Sequence, residues 1–310
     1  MKGLYVLVLL MLVCTLGLGI YVMLGELPFN NKVYTPFSAN YSGVLRGATD
    51  VNASNQITQF YPNMRFKDKS ISYRLESACT QTKWANIERA FSILSERTVL
   101  SFYHSTDNPE IRVMCSEVSP EAKEKGHFIA GEGGPSEIIN TTNFAVILNG
   151  RISLYKDERC DEPHIAIHEI LHALGFDHYN STNSILYPIT GCDQKIDGEI
   201  INKINLLYSI SPIPDLAITA LEANRTGRYL NFNITVSNVG LADSKNAWLD
   251  IYVQNRKIAN FTLGKLEVGM KKLLFVQNVR LPGDSESIVF SVESDDSEEL
   301  DLENNRAEIS

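Results

Sequence analysis

The chain has 310 residues, enough for about two domains, and its 44% hydrophobic and 21% charged content is ordinary for globular protein. The formal net charge of −9, with no Lys/Arg cluster and no interleaving of basic with aromatic residues, argues against a nucleic-acid partner.

Residues 3–25 contain no charged side chain. At ~1.5 Å per residue a helix of that length spans the ~30 Å hydrocarbon core, and the run exceeds the roughly 7–15 apolar residues of a cleaved signal peptide. Residues 1–25 therefore read as a transmembrane signal anchor, with Lys2 inside and the remainder exported; cleavage and secretion is the alternative. Cys14 within this run is a small apolar residue. Residues 26–60, rich in Asn, Ser, Thr and Gly without sustained periodicity, read as a stalk or linker. Sequons at Asn40, Asn52, Asn140, Asn180, Asn224, Asn233 and Asn260 agree with an exported glycoprotein.

From residue 61 the pattern becomes that of a mixed domain, extending to 211. Ile71–Leu75 alternates as a half-buried strand does. Over 80–98, Trp84, Ile87, Phe91 and Leu94 share a helical stripe, with Thr80 as N-cap. Residues 100–103 and 111–114 are the next predicted strands. The glycine-rich stretch 126–139 reads as irregular, and its spacing matches no phosphate loop. Residues 143–149 and 151–155 read as a hairpin closed by Asn149-Gly150. A helix is expected to begin near Asp161-Glu162-Pro163, with an acidic cap and an early proline.

That helix carries His168-Glu169-x-x-His172, followed by Gly175 and His178. Residues four apart share a helix face, so His168 and His172 can offer two nitrogens to one metal, while Glu169 is rotated by about 100° toward a neighbouring water. Gly175 can adopt a left-handed conformation that ends the helix and returns His178 as third ligand. Three protein ligands and an open fourth position describe a catalytic zinc site, in which the metal acidifies a water and Glu169 takes its proton. The full pattern arises by chance in roughly one in 10⁵ chains of this length.

Residues 196–208 then place apolar side chains along one helix face, and Ser211-Pro212-Ile213-Pro214 breaks the chain before a second domain at 212–310. Its period is two: 216–219, 230–236, 247–253, 273–276 and 288–292 are strands at the spacing of a β-sandwich. The acidic tail (Asp295, Asp296, Glu298, Glu299, Asp301, Glu303) offers oxygens to Ca²⁺ without a specific motif, and a solvated loop is the favoured reading. Cys79, Cys115, Cys160 and Cys192 allow three pairings. Cys160–Cys192, bracketing the histidine helix, and Cys79–Cys115 are the expected disulfides, against buried thiols as the alternative.

The eleven residues His168–His178 match the metzincin metallopeptidase signature, and Ser184–Pro188 lies at the Met-turn spacing of the matrixins, with Leu186 in place of the family methionine. Residues of about 60–210 resemble a matrixin peptidase. The resemblance implies a twisted, mostly parallel sheet with long helices, one catalytic Zn²⁺, and a protein or peptide substrate paired to an edge strand around 128–140. It also implies a packing role for His164, while His104 and His127 read as ordinary histidines. With no cysteine between Cys14 and Cys79, a cysteine-switch propeptide is not available there. Pro214-Asp215-Leu216, Val236–Gly240 and Glu303-Asn304-Asn305 resemble the CARDB family of immunoglobulin-like surface modules. The expected protein is thus α+β followed by an all-β sandwich: a membrane-anchored, extracellular zinc endopeptidase. Its alternative is an inert adhesion or binding protein that works through the sandwich.

Overall fold

The computed structural model describes residues 33–34, 57–122, 128–157, 159–283 and 287–310. The predicted anchor at 1–25, Cys14, Asn40, Asn52 and His127 lie outside them. Among the described residues, no helix is long and apolar enough to cross a membrane.

The first unit contains β2 (Met64–Phe66), β3 (Ser70–Leu75), α1 (Gln81–Arg97), β4 (Ser101–His104), β5 (Ile111–Cys115), β6 (Gly131–Asn140), β7 (Ala145–Leu154), α2 (His164–Ala173) and α3 (Gly198–Leu207). Strands β4, β3, β5 and β7 lie side by side and parallel, β2 runs parallel to the first residues of β7, and β6 pairs antiparallel with β7. α1 forms where the stripe places it: Thr80 accepts a hydrogen bond from Lys83 N (3.3 Å), and Ile87, Ala90, Phe91 and Leu94 are buried. These side chains join Ile71, Ile111, Val113 and Ile152 of the sheet and Ile167, Ile170 and Leu171 of α2 in one core. Cys79 is bonded to Cys115 and Cys160 to Cys192.

Three sequence expectations are corrected. The hairpin turn does not fall at Asn149-Gly150: β7 runs straight through it, and the turn is at Thr141–Phe144, where Thr141 N donates to Phe144 O (2.8 Å). Gly150 lies within that strand, where a Cβ would make ordinary contact with Ala173 Cβ and Phe66 Cζ at 3.4 Å. The partner of β7 is the glycine-rich stretch, whose residues 131–140 form a ten-residue strand with register shifts between Pro135 and Ile138. The acidic cap of α2 is also not formed: Pro163 is the N-cap without a side-chain bond, and Glu162 contributes its carbonyl to His164 N (2.9 Å).

Arg65, 1% exposed, closes the unit. Its guanidinium donates to the carbonyls of Leu207, Ile210, Lys67 and Phe66 and lies 4.3 Å over the Tyr208 ring, capping α3. Arg65→Ala strands several buried carbonyls, so a loss of about 3 kcal/mol or more is expected. A urea midpoint lowered at unchanged slope would show it; an unmoved midpoint would contradict it.

The second unit is a sandwich of two four-stranded sheets. One holds β1 (Val33–Tyr34), β8 (Leu216–Thr226), β9 (Tyr229–Asn238) and β12 (Lys271–Arg280). The other holds β11 (Arg256–Lys265), β10 (Asn246–Val253), β13 (Ile288–Ser294) and β14 (Arg306–Ile309). Alternate residues such as Leu230, Phe232, Ile234 and Val236 point into the shared core with Leu249, Ile251, Phe290 and Val292. The five predicted strands lie within β8, β9, β10, β12 and β13. Missing from the expectation were β1, inside the predicted linker, and β11 and β14; all three lie at sheet edges, and in β11 and β14 few residues are buried and alternation is weak. The β10–β11 turn uses Gln254 and Asn255, both at positive φ (49° and 60°), instead of an Asn-Gly pair.

Candidate metal centre

α2 holds His168, Glu169 and His172 among buried residues, and its end obeys the chemistry of glycine. Gly175 stands at φ +94°, Gly175 N donates to His172 O (2.9 Å) and Phe176 N to Leu171 O (3.1 Å). This is a Schellman closure, with Phe176 and Leu171 both buried. A Cβ on residue 175 would also meet Met64 Cγ at 2.5 Å, so glycine is required twice over.

The bend brings the three imidazoles together. Nε2 of His172 lies 2.9 Å from Nε2 of His168 and 3.2 Å from Nε2 of His178, and the candidate ligand atoms all fall within 4.8 Å of one another. Nδ1 of His168 faces Ile185 O (2.6 Å) and Nδ1 of His172 faces Phe176 O (2.7 Å). Each carbonyl can only accept, which places the proton on Nδ1 and leaves the Nε2 lone pair directed into the cluster. Metal–nitrogen bonds of ~2.0–2.1 Å at tetrahedral angles require nitrogens about 3.3 Å apart, so the triad fits one zinc ion. His164 takes no part: both its ring nitrogens face backbone carbonyls, of Glu162 (2.8 Å) and Gln194 (3.0 Å).

Leu186 is fully buried in the core of this unit. Its carbonyl accepts from Tyr179 N (3.0 Å), and its N–H donates to Ser184 Oγ (3.1 Å), which in turn donates to Asp197. The Ser184–Asp197 tie and a second clip were not recognised in the sequence. In that clip Phe60 N donates to Gly175 O (3.0 Å) and Asp177 N to Thr58 O (3.0 Å), inside what read as linker.

A cleft of about 1560 Å³ opens over the triad, above the ~300–1,000 Å³ usual for small-molecule sites. Glu169 lines it, as do Gly131–Ser136 of β6, the Cys160–Cys192 disulfide and Ile189. Gly131 and Gly133, two apart on one strand face, press on Glu169: a Cβ would come within 2.8 Å of Glu169 Cγ at the first and 2.2 Å of Glu169 O at the second. Among the described residues β6 pairs only with β7, so its other edge is free for an extended chain.

Burial, then the charge of Glu132, pushes Glu169 up to about 8. Burial, then His172, holds His168 down at about 3, and desolvation also lowers His172 and His178. In metal-free protein these shifts have opposite signs. Glu169 binds a proton more readily folded than unfolded, so its stabilisation fades as pH rises through about 8. The histidines bind protons less readily folded, so their contribution is lost as pH falls below 6.5 toward about 3. A stability maximum between these limbs is expected. In Glu169→Gln the alkaline limb should shrink to the part owed to Asp215, which burial also pushes up, to about 7, while the acid limb stays; melting temperatures of chelated protein with an undiminished alkaline limb would refute the assignment.

The family model described as Matrixin matches residues 65–209, and the CARDB model matches residues 213–308. None of the curated proteins compared with the chain matches it. Among solved structures, the chain is similar to the crystal structure of the CARDB domain of the PF1109 protein from Pyrococcus furiosus, in complex with di-metal ions. That match has 19% identity and a TM-score of 0.27, covering 31% of this chain and 84% of that one. The solution NMR structure of the same domain matches at 19% identity and a TM-score of 0.27, covering 31% and 91%.

Proposed function

We propose, from the premise that residues 65–209 form a matrixin domain and residues 213–308 a CARDB domain, that the protein is a zinc endopeptidase anchored to the membrane and working outside the cell. The matrixin match supports a metallopeptidase of that kind, and the convergence of three Nε2 atoms carries the reading. His168, His172 and His178 would hold the ion. When bound, zinc supplies Lewis acidity that polarises the scissile carbonyl and acidifies water at the site. The chain's own residues do the rest. β6 receives the substrate backbone as an added strand, keeping the scissile bond beside α2. Glu169 accepts the proton of the attacking water and delivers it to the leaving amide nitrogen. Leu186 supports the histidines from below as an apolar floor, a role that a near-isosteric replacement of methionine preserves.

Export is supported by the charge-free run at 3–25 and by the two disulfides. Of the sequon residues, Asn140 and Asn180 are exposed, as glycosylation requires, whereas Asn260 donates its Nδ2 to the buried Asp250 (2.6 Å). The test is metal analysis of the purified protein with a peptide-library digest, with and without chelator. One zinc per chain and chelator-sensitive cleavage are expected. A fully loaded protein that cuts nothing would favour the inert adhesion reading instead.

A further inference from the structure

Strand β6 has two ends with different surroundings. Gly131–Ser136 lines the cleft, while Ile138–Asn140 lies about 7–13 Å beyond Ser136 at ~3.3 Å per residue. The far end meets the sandwich. A Cβ added at Gly269 (φ +73°), in the β11–β12 loop, would lie 2.3 Å from Ile139 Cγ2. Beyond the turn, Phe144 and Val146 form a separate buried cluster with Ile210 and with Leu241 of the β9–β10 loop, flanked by Val268 and Leu300. Asn143 Nδ2 donates to Oδ2 of the fully buried Asp215 (3.4 Å), and its carbonyl accepts from Asn63 Nδ2 (3.1 Å). The β6–β7 hairpin therefore carries the cleft wall at one end and a domain interface at the other.

We propose that the sandwich acts as a brace: Leu241, Val268 and Gly269 are positioning residues that hold β6 in the place where substrate pairs with it. This rests on the peptidase reading for the identity of what pairs there. The physical reason is that an edge strand with one neighbour opens locally at low cost. β6 is further weakened by its glycines, by Pro135 and by register shifts between Pro135 and Ile138. Burying the turn and Ile139 against a second domain removes the fraying end, so that opening the strand requires breaking the interface too.

Hydrogen–deuterium exchange on the full-length protein tests this, comparing Leu241→Ala/Val268→Ala with the unaltered chain and with Phe275→Ala, an exposed residue of β12. Amides of 131–136 are expected to exchange about tenfold faster in the double variant only, with zinc content kept. KM for a peptide should rise by a similar factor at unchanged kcat, the signature of lost substrate positioning. Faster exchange confined to 137–144 and the sandwich loops would overturn the brace. Should the double variant fail to fold, Val268→Ala alone truncates the flank of the interface cluster and is read in the same way. Exchange needs no turnover, so absence of peptidase activity in the unaltered protein would sink the functional reading and leave the brace to be decided by the amides.

Discussion

Glu169→Gln is expected to leave one zinc bound per chain while lowering kcat/KM by about 10²–10⁴-fold, the usual contribution of a positioned general base. The amide is nearly isosteric with the carboxylate, so the close seat against Gly131 and Gly133 is kept and the fold is undisturbed. What is removed is the capacity to take a proton in a site where burial and Glu132 make the protonation state of this group consequential. The ligand set is untouched, because His168 and His172 are oriented by the carbonyls of Ile185 and Phe176 and not by Glu169. Zinc by atomic absorption and cleavage of a reporter peptide decide the matter. Full activity would end the general-base assignment, and loss of zinc would mean that Glu169 supports the ligands instead.

The second large effect concerns glycine. Gly133→Ala drives a methyl group to 2.2 Å from Glu169 O, which is backbone and cannot rotate away. β6 or α2 must shift, and a cost of about 3 kcal/mol or more is expected, at or beyond the upper end for overpacking. Gly134→Ala is the control: nothing lies within 4 Å of the added methyl, so stability should stay within roughly ±0.5 kcal/mol. Gly131→Ala falls between, since its methyl meets the flexible end of Glu169. It should cost less stability than Gly133→Ala and more activity than Gly134→Ala. Thermal unfolding and peptide cleavage across the three variants test the order. Equal behaviour of Gly133→Ala and Gly134→Ala would show that β6 does not rest on the helix backbone.

Much of the site was legible because its logic is local. His168 and His172 are one turn apart, Gly175 is the residue a left-handed helix end demands, and His178 follows within reach of the bend. The stripe of Ile87, Phe91 and Leu94 and the alternation in β9 and β10 likewise state which face is buried. Such periodicity says nothing about what the face meets. A glycine needed for close approach is spelled like a glycine needed for a turn, so Gly131 and Gly133 were taken for residues of an irregular stretch when they clear space for α2.

By itself, then, the sequence determined which three histidines meet, the helix that carries two of them, the bend that returns the third and the two-part architecture, because each is written in spacings of a few residues. Tertiary structure alone decided the rest: that Arg65 caps a helix more than 130 residues away, that Gly131 and Gly133 seat against Glu169, that Thr58 and Phe60 clip the bend, and that the sandwich grips the hairpin. Those contacts join residues far apart in the chain, and their partners are chosen by shape and by unsatisfied backbone groups that no local pattern records.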